Sequence, residues 1–418
     1  MTRRGEDTGA VARPQILTRD NVAQLARGRP LRERFLLKTM TRLEKGAVTI
    51  RFPDGSAWRY ASGNEGPDAE CNLRNWRLPR RVIFGGSIGA AESYMDGDWD
   101  SPDVTAFLSL FSVNEQLGDE LTTPGILINA LQSLRHYMNS NTIAGARRNI
   151  AAHYDLGNRF YRAWLDQTMT YSSAIFERKK ASLAEAQNAK YRSLAERVGI
   201  SPGDHVLEIG CGWGGFAEFA ARHFDCHVTG LTISREQYDF ARERMFKAGL
   251  NEKVEIRFQD YRDERGLYDR IASIEMFEAV GEKYWPVYFE RLRECLKAGG
   301  KAGLQIITIA ERSFDLYRRR PDFIQRYIFP GGMLPTPAIL DRLGQEAGLK
   351  LAAERVFPLD YARTLAEWRK SFLAAWSDIR NQGFDERFRR MWEFYLHYCE
   401  AGFRTGNIDV RQVFFQKP

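Results

Sequence analysis

The run Val206-Leu-Glu-Ile-Gly-Cys-Gly-Trp-Gly-Gly215 carries the residues best suited to chemistry. Val206, Leu207 and Ile209 read as a buried parallel strand. Gly210, Gly212 and Gly214 then permit a tight turn whose backbone can press against a ligand at a helix N-terminus. Glu208 precedes these glycines, where a carboxylate can hold the ammonium of an amino acid. The following strand ends in Gly230-Leu-Thr-Ile-Ser-Arg-Glu-Gln237. It lacks the acidic residue about 20 positions on that would take an NAD ribose. The pattern therefore favours S-adenosylmethionine over a dinucleotide.

Positioning such a turn takes a parallel sheet with crossover helices, and the second half of the chain alternates accordingly. HVLEIGCG, CHVTGLTI, VEIRFQD, YDRIASIEMFE and KAGLQIITIA read as strands. GGFAEFAARHF reads as a helix, as does SREQYDFARERMFKAG, capped by Ser234 and closed by Gly249. Strand ends of this kind build one ligand crevice at their carboxyl edge. Earlier in the chain, GAVTIRFPDGSAWRY predicts a hairpin, and RVIFGGSIGAAESYMDGDWDS predicts a strand, a glycine turn and a short helix. Val104 to Met138 has helical patterning, and the first ~20 residues read as loose. The expected architecture is α/β: a Rossmann-like sheet in residues 141–418, with a smaller α+β domain in residues 1–140.

A chain of 418 residues accommodates two domains, and 44% hydrophobic with 28% charged residues is globular composition rather than disordered. The five cysteines show no metal-ligand spacing and read as reduced thiols, so no metal is expected. No apolar run approaches the ~18 residues of a membrane span, and the N-terminus has no secretory apolar core. The expectation is a cytoplasmic protein. A net charge of +7 leaves room for an anionic partner. Arg32 and Arg34, Arg77 with Arg80 and Arg81, Arg147 and Arg148, Arg318–Arg320, and Arg387 with Arg389 and Arg390 mostly adjoin apolar residues. That mixture suits the inner face of a membrane, while no zinc finger or RNP-type motif points to nucleic acid.

HYDLGN (153–158), TYSSA (170–174), LEIGCGWGG (207–215), GLTIS-x-EQ (230–237), DYRD (260–263), MFE-x-VG (276–281), YIFPGG-x-LP (327–335) and C-x-x-G-F-R (399–404) occur in this order. Together they resemble the cyclopropane-fatty-acid synthase family of S-adenosylmethionine-dependent enzymes. The likeness covers roughly residues 80–418 and includes GSIGAAESYMDGDWD (86–100). It implies a class I methyltransferase fold, and methyl transfer to a cis alkene of an unsaturated phospholipid at the membrane surface, through a carbocation. By resemblance, Tyr171, Ser172, Gly210, Gly212, Thr232, Gln237, Tyr261 and Arg262 line the cofactor, with Glu208 and Gly214 from the glycine turn. Glu278 matches the family's active-site carboxylate. Tyr171, Tyr361 and Phe277, with Trp285 and Trp376, are candidates to face the cation. His153 reads as a helix-entry hydrogen-bonder. Cys399 stands at a family cysteine position and reads as a core thiol, since the mechanism needs no covalent intermediate.

Ring-forming members hold a bicarbonate base with a cysteine after Tyr-Ser, a histidine on the fifth strand, the glutamate and a tyrosine. Here the cysteine position is Ser173 and the histidine position, aligned through Thr308-Ile309, is Ile307; Glu278 and Tyr361 remain. Loss of an imidazole donor puts bicarbonate binding in question. The expected product is therefore a methyl-branched alkene or a methylene branch. The alternatives are a true cyclopropane synthase, a methyltransferase for a small polar acceptor or RNA, and a non-catalytic lipid-binding relative. A homodimer is compatible with the sequence.

Overall fold

The computed structural model describes residues 13–117 and 156–418. The chain divides into two compact units, within residues 1–128 and 129–418. The expected boundary near residue 140, the helical patterning beyond Leu117, His153 and the Arg147–Arg148 pair lie outside the described residues.

The first unit is built on a five-stranded sheet. Its strands are β1 (Gln15–Leu17), β2 (Ala47–Arg51), β3 (Ala57–Ala61), β4 (Asp68–Leu73) and β5 (Trp99–Asp100), in the order β1-β3-β2-β4-β5. The predicted hairpin is β2 paired antiparallel with β3 across Pro53-Asp54-Gly55. Residues 15–17, expected to be loose, instead add a parallel edge strand to β3 and bury Leu17. The strand predicted around Val82–Phe84 is also corrected. Arg77–Met95 is helical apart from a break at Gly86, which adopts φ 58° and ψ −139°. A short apolar run does not distinguish strand from helix by itself. The break decides it: the chain folds back so tightly that a Cβ on Gly89 would lie 2.0 Å from the Arg81 carbonyl oxygen.

Asp98, wholly buried, ties this turn together. Its carboxylate accepts hydrogen bonds from Ser93 Oγ (2.8 Å) and Asn75 Nδ2 (2.9 Å) and pairs with Arg77 (2.6 Å) and Arg81 (3.4 Å).

The second unit carries seven strands: β6 (His205–Ile209), β7 (His227–Thr232), β8 (Val254–Phe258), β9 (Tyr268–Ile274), β10 (Leu296–Ile309), β11 (Lys350–Val356) and β12 (Ile408–Gln416). Their order is β8-β7-β6-β9-β10-β12-β11. Strands β6 to β10 are parallel, while β12 runs antiparallel to both β10 and β11. β6 pairs with β7 on one side and β9 on the other, so the strand order reverses there and a crevice opens at the carboxyl ends. Both faces of β6 are covered. Val206 joins a core with Leu194, Phe216 and Ala217, and Leu207 joins one with Ile271, Phe289 and Leu304. This double burial explains the unbroken apolar run before the glycines. The expected Ser234 cap is present, its side chain accepting from Gln237 N at the start of helix Arg235–Lys247.

Asp98→Ala should destabilise the first unit by about 1–3 kcal/mol, because it leaves the buried Ser93 hydroxyl without its acceptor and opens a small void, while the two arginines can turn to solvent. Chemical denaturation of the full chain followed by tryptophan fluorescence measures this.

Candidate active site

The carboxyl ends of four parallel strands collect most of the predicted cofactor residues. After β6, Gly210, Gly212 and Gly214 all have positive φ (81°, 52° and 79°), which side chains disfavour. A Cβ on Gly210 would meet Met276 Cγ at 2.5 Å, so the β6 turn is packed against the end of β9. A Cβ on Gly212 would meet nothing within 4 Å, leaving bare backbone open to a ligand at the start of helix Gly215–Phe224. That open glycine cradle fits S-adenosylmethionine. After β7, Thr232 Oγ1 donates to Gln237 Oε1 (3.0 Å). After β8, a single turn spans Tyr261–Asp263; Arg262 is clamped onto Asp260 through Nε (2.9 Å) and Nη2 (2.7 Å). Glu208 lies buried within β6, and its Oε2 has no hydrogen-bond partner. Burial pushes its carboxyl well up, against the opposing pull of Lys190 and Arg244.

The end of β9 holds two carboxylates. Glu278 is in the turn Phe277–Ala279; its Oε1 accepts from Ile307 N (2.6 Å), and its Oε2 is buried without a partner. The glycine-rich segment after Tyr327 fixes this turn, with Met333 N donating to the Glu278 carbonyl (2.9 Å). Burial and the nearby charge of Glu275 push the Glu278 carboxyl up to about 8, so it carries a proton at neutral pH.

Glu275 has φ +50°, a conformation costing roughly 1–2 kcal/mol for a residue with a side chain. Its Oε1 accepts from Ser173 N (2.8 Å) and Gln305 Nε2 (2.7 Å), and its Oε2 accepts from Tyr361 OH (2.6 Å). Burial raises its pKa as well, but these donors and the charge of Lys190 oppose the shift. Within the pair, the negative charge therefore resides on Glu275. Lys190 is fully buried and donates to Ser172 Oγ (2.6 Å); desolvation lowers it to about 7 against the attraction of Glu275, Asp166 and Glu208.

Aromatic rings connect to this carboxylate. Tyr361 stacks on Phe403 (4.4 Å) and meets Trp368 edge-on (6.1 Å); Trp368 in turn packs on Tyr171 (5.2 Å), whose hydroxyl is bonded to that of Tyr395 (2.8 Å). Tyr361 and Tyr171, distant in sequence, thus share one ring neighbour. Phe277 and Trp285 are instead core residues packed with Tyr288 and Phe289, and Trp376 meets Phe372 rather than this group. The first two belong to one buried cluster, Phe277 from the turn after β9 and Trp285 from the first turn of the helix Trp285–Cys295.

Two further expectations change. Ser173 meets Glu275 through its backbone N–H, while its hydroxyl donates to the Ala174 carbonyl (3.1 Å). On β10 the side chain reaching Glu275 is that of Gln305; Ile307 contributes its backbone N–H to Glu278. The two residues share a strand face, being two apart. Cys399 is desolvated and its thiol pushed up, away from the reactive thiolate. Glu275, Gln305, Lys190, Trp368 and Tyr395 are not distinguished by motif reading. The available signals are the second acid in Ser-Ile-Glu-Met-Phe-Glu278 and the polar residue interrupting Leu304-Gln-Ile-Ile307.

Residues 142–413 match the family described as mycolic acid cyclopropane synthetase. The chain is 40% identical over 391 residues (91% of this chain, 89% of the relative) to the tuberculostearic acid methyltransferase UfaA1 of Mycobacterium tuberculosis. It is 37% identical over 390 residues (88% and 95%) to the cyclopropane-fatty-acyl-phospholipid synthase of Escherichia coli. Among solved structures it resembles mycolic acid cyclopropane synthase CmaA1 complexed with S-adenosylhomocysteine and CTAB, with TM-score 0.61 and 30% identity, covering 65% of this chain and 98% of that one.

Folded Glu278 keeps its proton to about 8, whereas the unfolded chain releases it near the ordinary 4.5. The native state therefore binds more protons in that window, and stability falls as pH rises through it. Glu278→Gln removes this loss. Its melting temperature relative to wild type should climb by several degrees between pH 5 and 8 and stay level above, as read by scanning calorimetry across pH.

Proposed function

The chain belongs to the mycolic acid cyclopropane synthetase family of S-adenosylmethionine-dependent lipid methyltransferases, and from that premise we propose that it C-methylates the cis double bond of an unsaturated phospholipid acyl chain to give a methyl-branched alkene or methylene product. When bound, S-adenosylmethionine supplies a sulfonium methyl that the π electrons of an alkene can take, leaving positive charge on the acyl chain. The protein's residues serve that charge. Faces of Tyr361 and Tyr171 attract a desolvated cation by ~1–2 kcal/mol each, with the buried Trp368 fixing both rings in place. Glu275 places a fixed negative charge beside them, where low dielectric strengthens its effect. Exclusion of water by these rings protects the cation from hydration.

The observation that carries this reading is the linkage of Glu275 to Tyr361 and onward to Trp368 and Tyr171, which couples a buried anion to an aromatic group. The branched product is supported by the relative named a tuberculostearic acid methyltransferase, and by Ser173 and Ile307 at the positions where ring-forming members carry a thiol and an imidazole.

Access to the substrate is proposed to come from peripheral binding at the inner membrane face. Among the described residues no helix is long and apolar enough to cross a membrane. In the first unit, Ile83 and Phe84 are exposed beside the exposed Arg80, an apolar and basic combination suited to anionic lipid. Other basic clusters are partly neutralised: Arg318 pairs with Glu282, and Arg389 with Glu386 and Glu393.

Incubation with methyl-labelled S-adenosylmethionine and vesicles of monounsaturated phospholipid should yield labelled fatty esters that ozone still cleaves. Ozone-resistant esters would indicate ring closure, and unlabelled lipid would overturn the lipid acceptor. Phe84→Ser should weaken binding to anionic vesicles by about 10-fold in a sedimentation assay, as expected for losing one inserted aromatic side chain.

A further inference from the structure

Glu275 follows β9 in a strained left-handed conformation, with its carboxylate held inside the fold. Three donors from separate parts of the chain meet it there: the Ser173 amide, the Gln305 side-chain amide and the Tyr361 hydroxyl. Gln305 is itself oriented, its Oε1 accepting from Gln412 Nε2 (3.1 Å) and its Nε2 also reaching the Ser173 carbonyl (3.2 Å). An ionised carboxylate has about four acceptor positions, so three donors leave one lone pair uncommitted. The neighbouring Glu278 accepts only a backbone N–H, and nothing comparable holds its charge. One carboxylate is thus built to be an anion with a spare acceptor position, joined to the ring that faces the proposed cation.

Resting on the proposed lipid methylation, we infer that Glu275 is the catalytic base, an anion built into the chain that makes an external one unnecessary. In this step a C–H bond of the methylated acyl chain breaks. Its electron pair fills the empty orbital of the adjacent cationic carbon, forming the new π bond. The proton forms an O–H bond with the Glu275 carboxylate, which becomes neutral. Charge and atoms balance without a further reactant.

The test uses the full chain, monounsaturated phospholipid vesicles and methyl-labelled S-adenosylmethionine, in buffer stripped of carbon dioxide and again with added bicarbonate. Wild type should run at the same rate in both. Glu275→Gln should lose about 10²–10⁴-fold in kcat, the usual contribution of a positioned base, while binding S-adenosylhomocysteine as wild type does. Glu275→Gly frees the three donors and relieves the backbone, so bicarbonate or formate should restore at least about 10-fold of its lost rate. The inference is overturned if wild type depends on bicarbonate, a comparison that needs no variant. It is equally overturned if Glu275→Gln stays within about 3-fold of wild type, or if Glu275→Gly binds S-adenosylhomocysteine but is not rescued, which would leave Glu275 a structural role. A wild type that labels no lipid at all is a separate outcome and refutes the lipid reading itself.

Discussion

Holding negative charge in a dry site is the constraint around which the catalytic unit is arranged. A carboxylate taken out of water is costly unless hydrogen bonds and a counter-charge replace its hydration. Glu275 receives donors from the segment before the sheet, from β10 and from the helix Pro358–Ala374, with Lys190 contributing its charge nearby. Because these donors come from elements far apart in sequence, the anion is stable only when the sheet and its covering helices are assembled together. Glu278, lacking such donors, responds to the same burial by keeping its proton.

The glycine turn solves a complementary problem. A ligand bearing a sulfonium and an amino acid needs backbone rather than side chains at close range, which the open face of Gly212 provides. Gly210 is glycine for another reason, since Met276 occupies the space a side chain would need. That contact packs the glycine turn against the segment carrying both carboxylates, so the two are built as one piece.

The first unit follows different physics. Its organising element is a buried aspartate, Asp98, satisfied by two arginines, a serine and an asparagine around a helix broken at Gly86. Ile83 and Phe84, just before the break, stand in solvent.

Local pattern determined much of this in advance. The alternation of apolar strands with capped helices gave the α/β class, because periodicity and glycine punctuation are properties of neighbouring residues. The β6 turn, the Ser234 cap and the hairpin at Pro53-Asp54-Gly55 were legible for the same reason. The ordered motifs pointed to the family and to S-adenosylmethionine. What the sequence alone left open was which side chains meet across the fold. Glu275 is one acid among many until Ser173, Gln305 and Tyr361 converge on it, and Phe277 is indistinguishable from a cation-facing ring until it packs into its buried cluster. Those choices depend on strand register and helix docking between residues as much as 224 positions apart, as in the Tyr171–Tyr395 hydrogen bond, and only the assembled tertiary structure decides them.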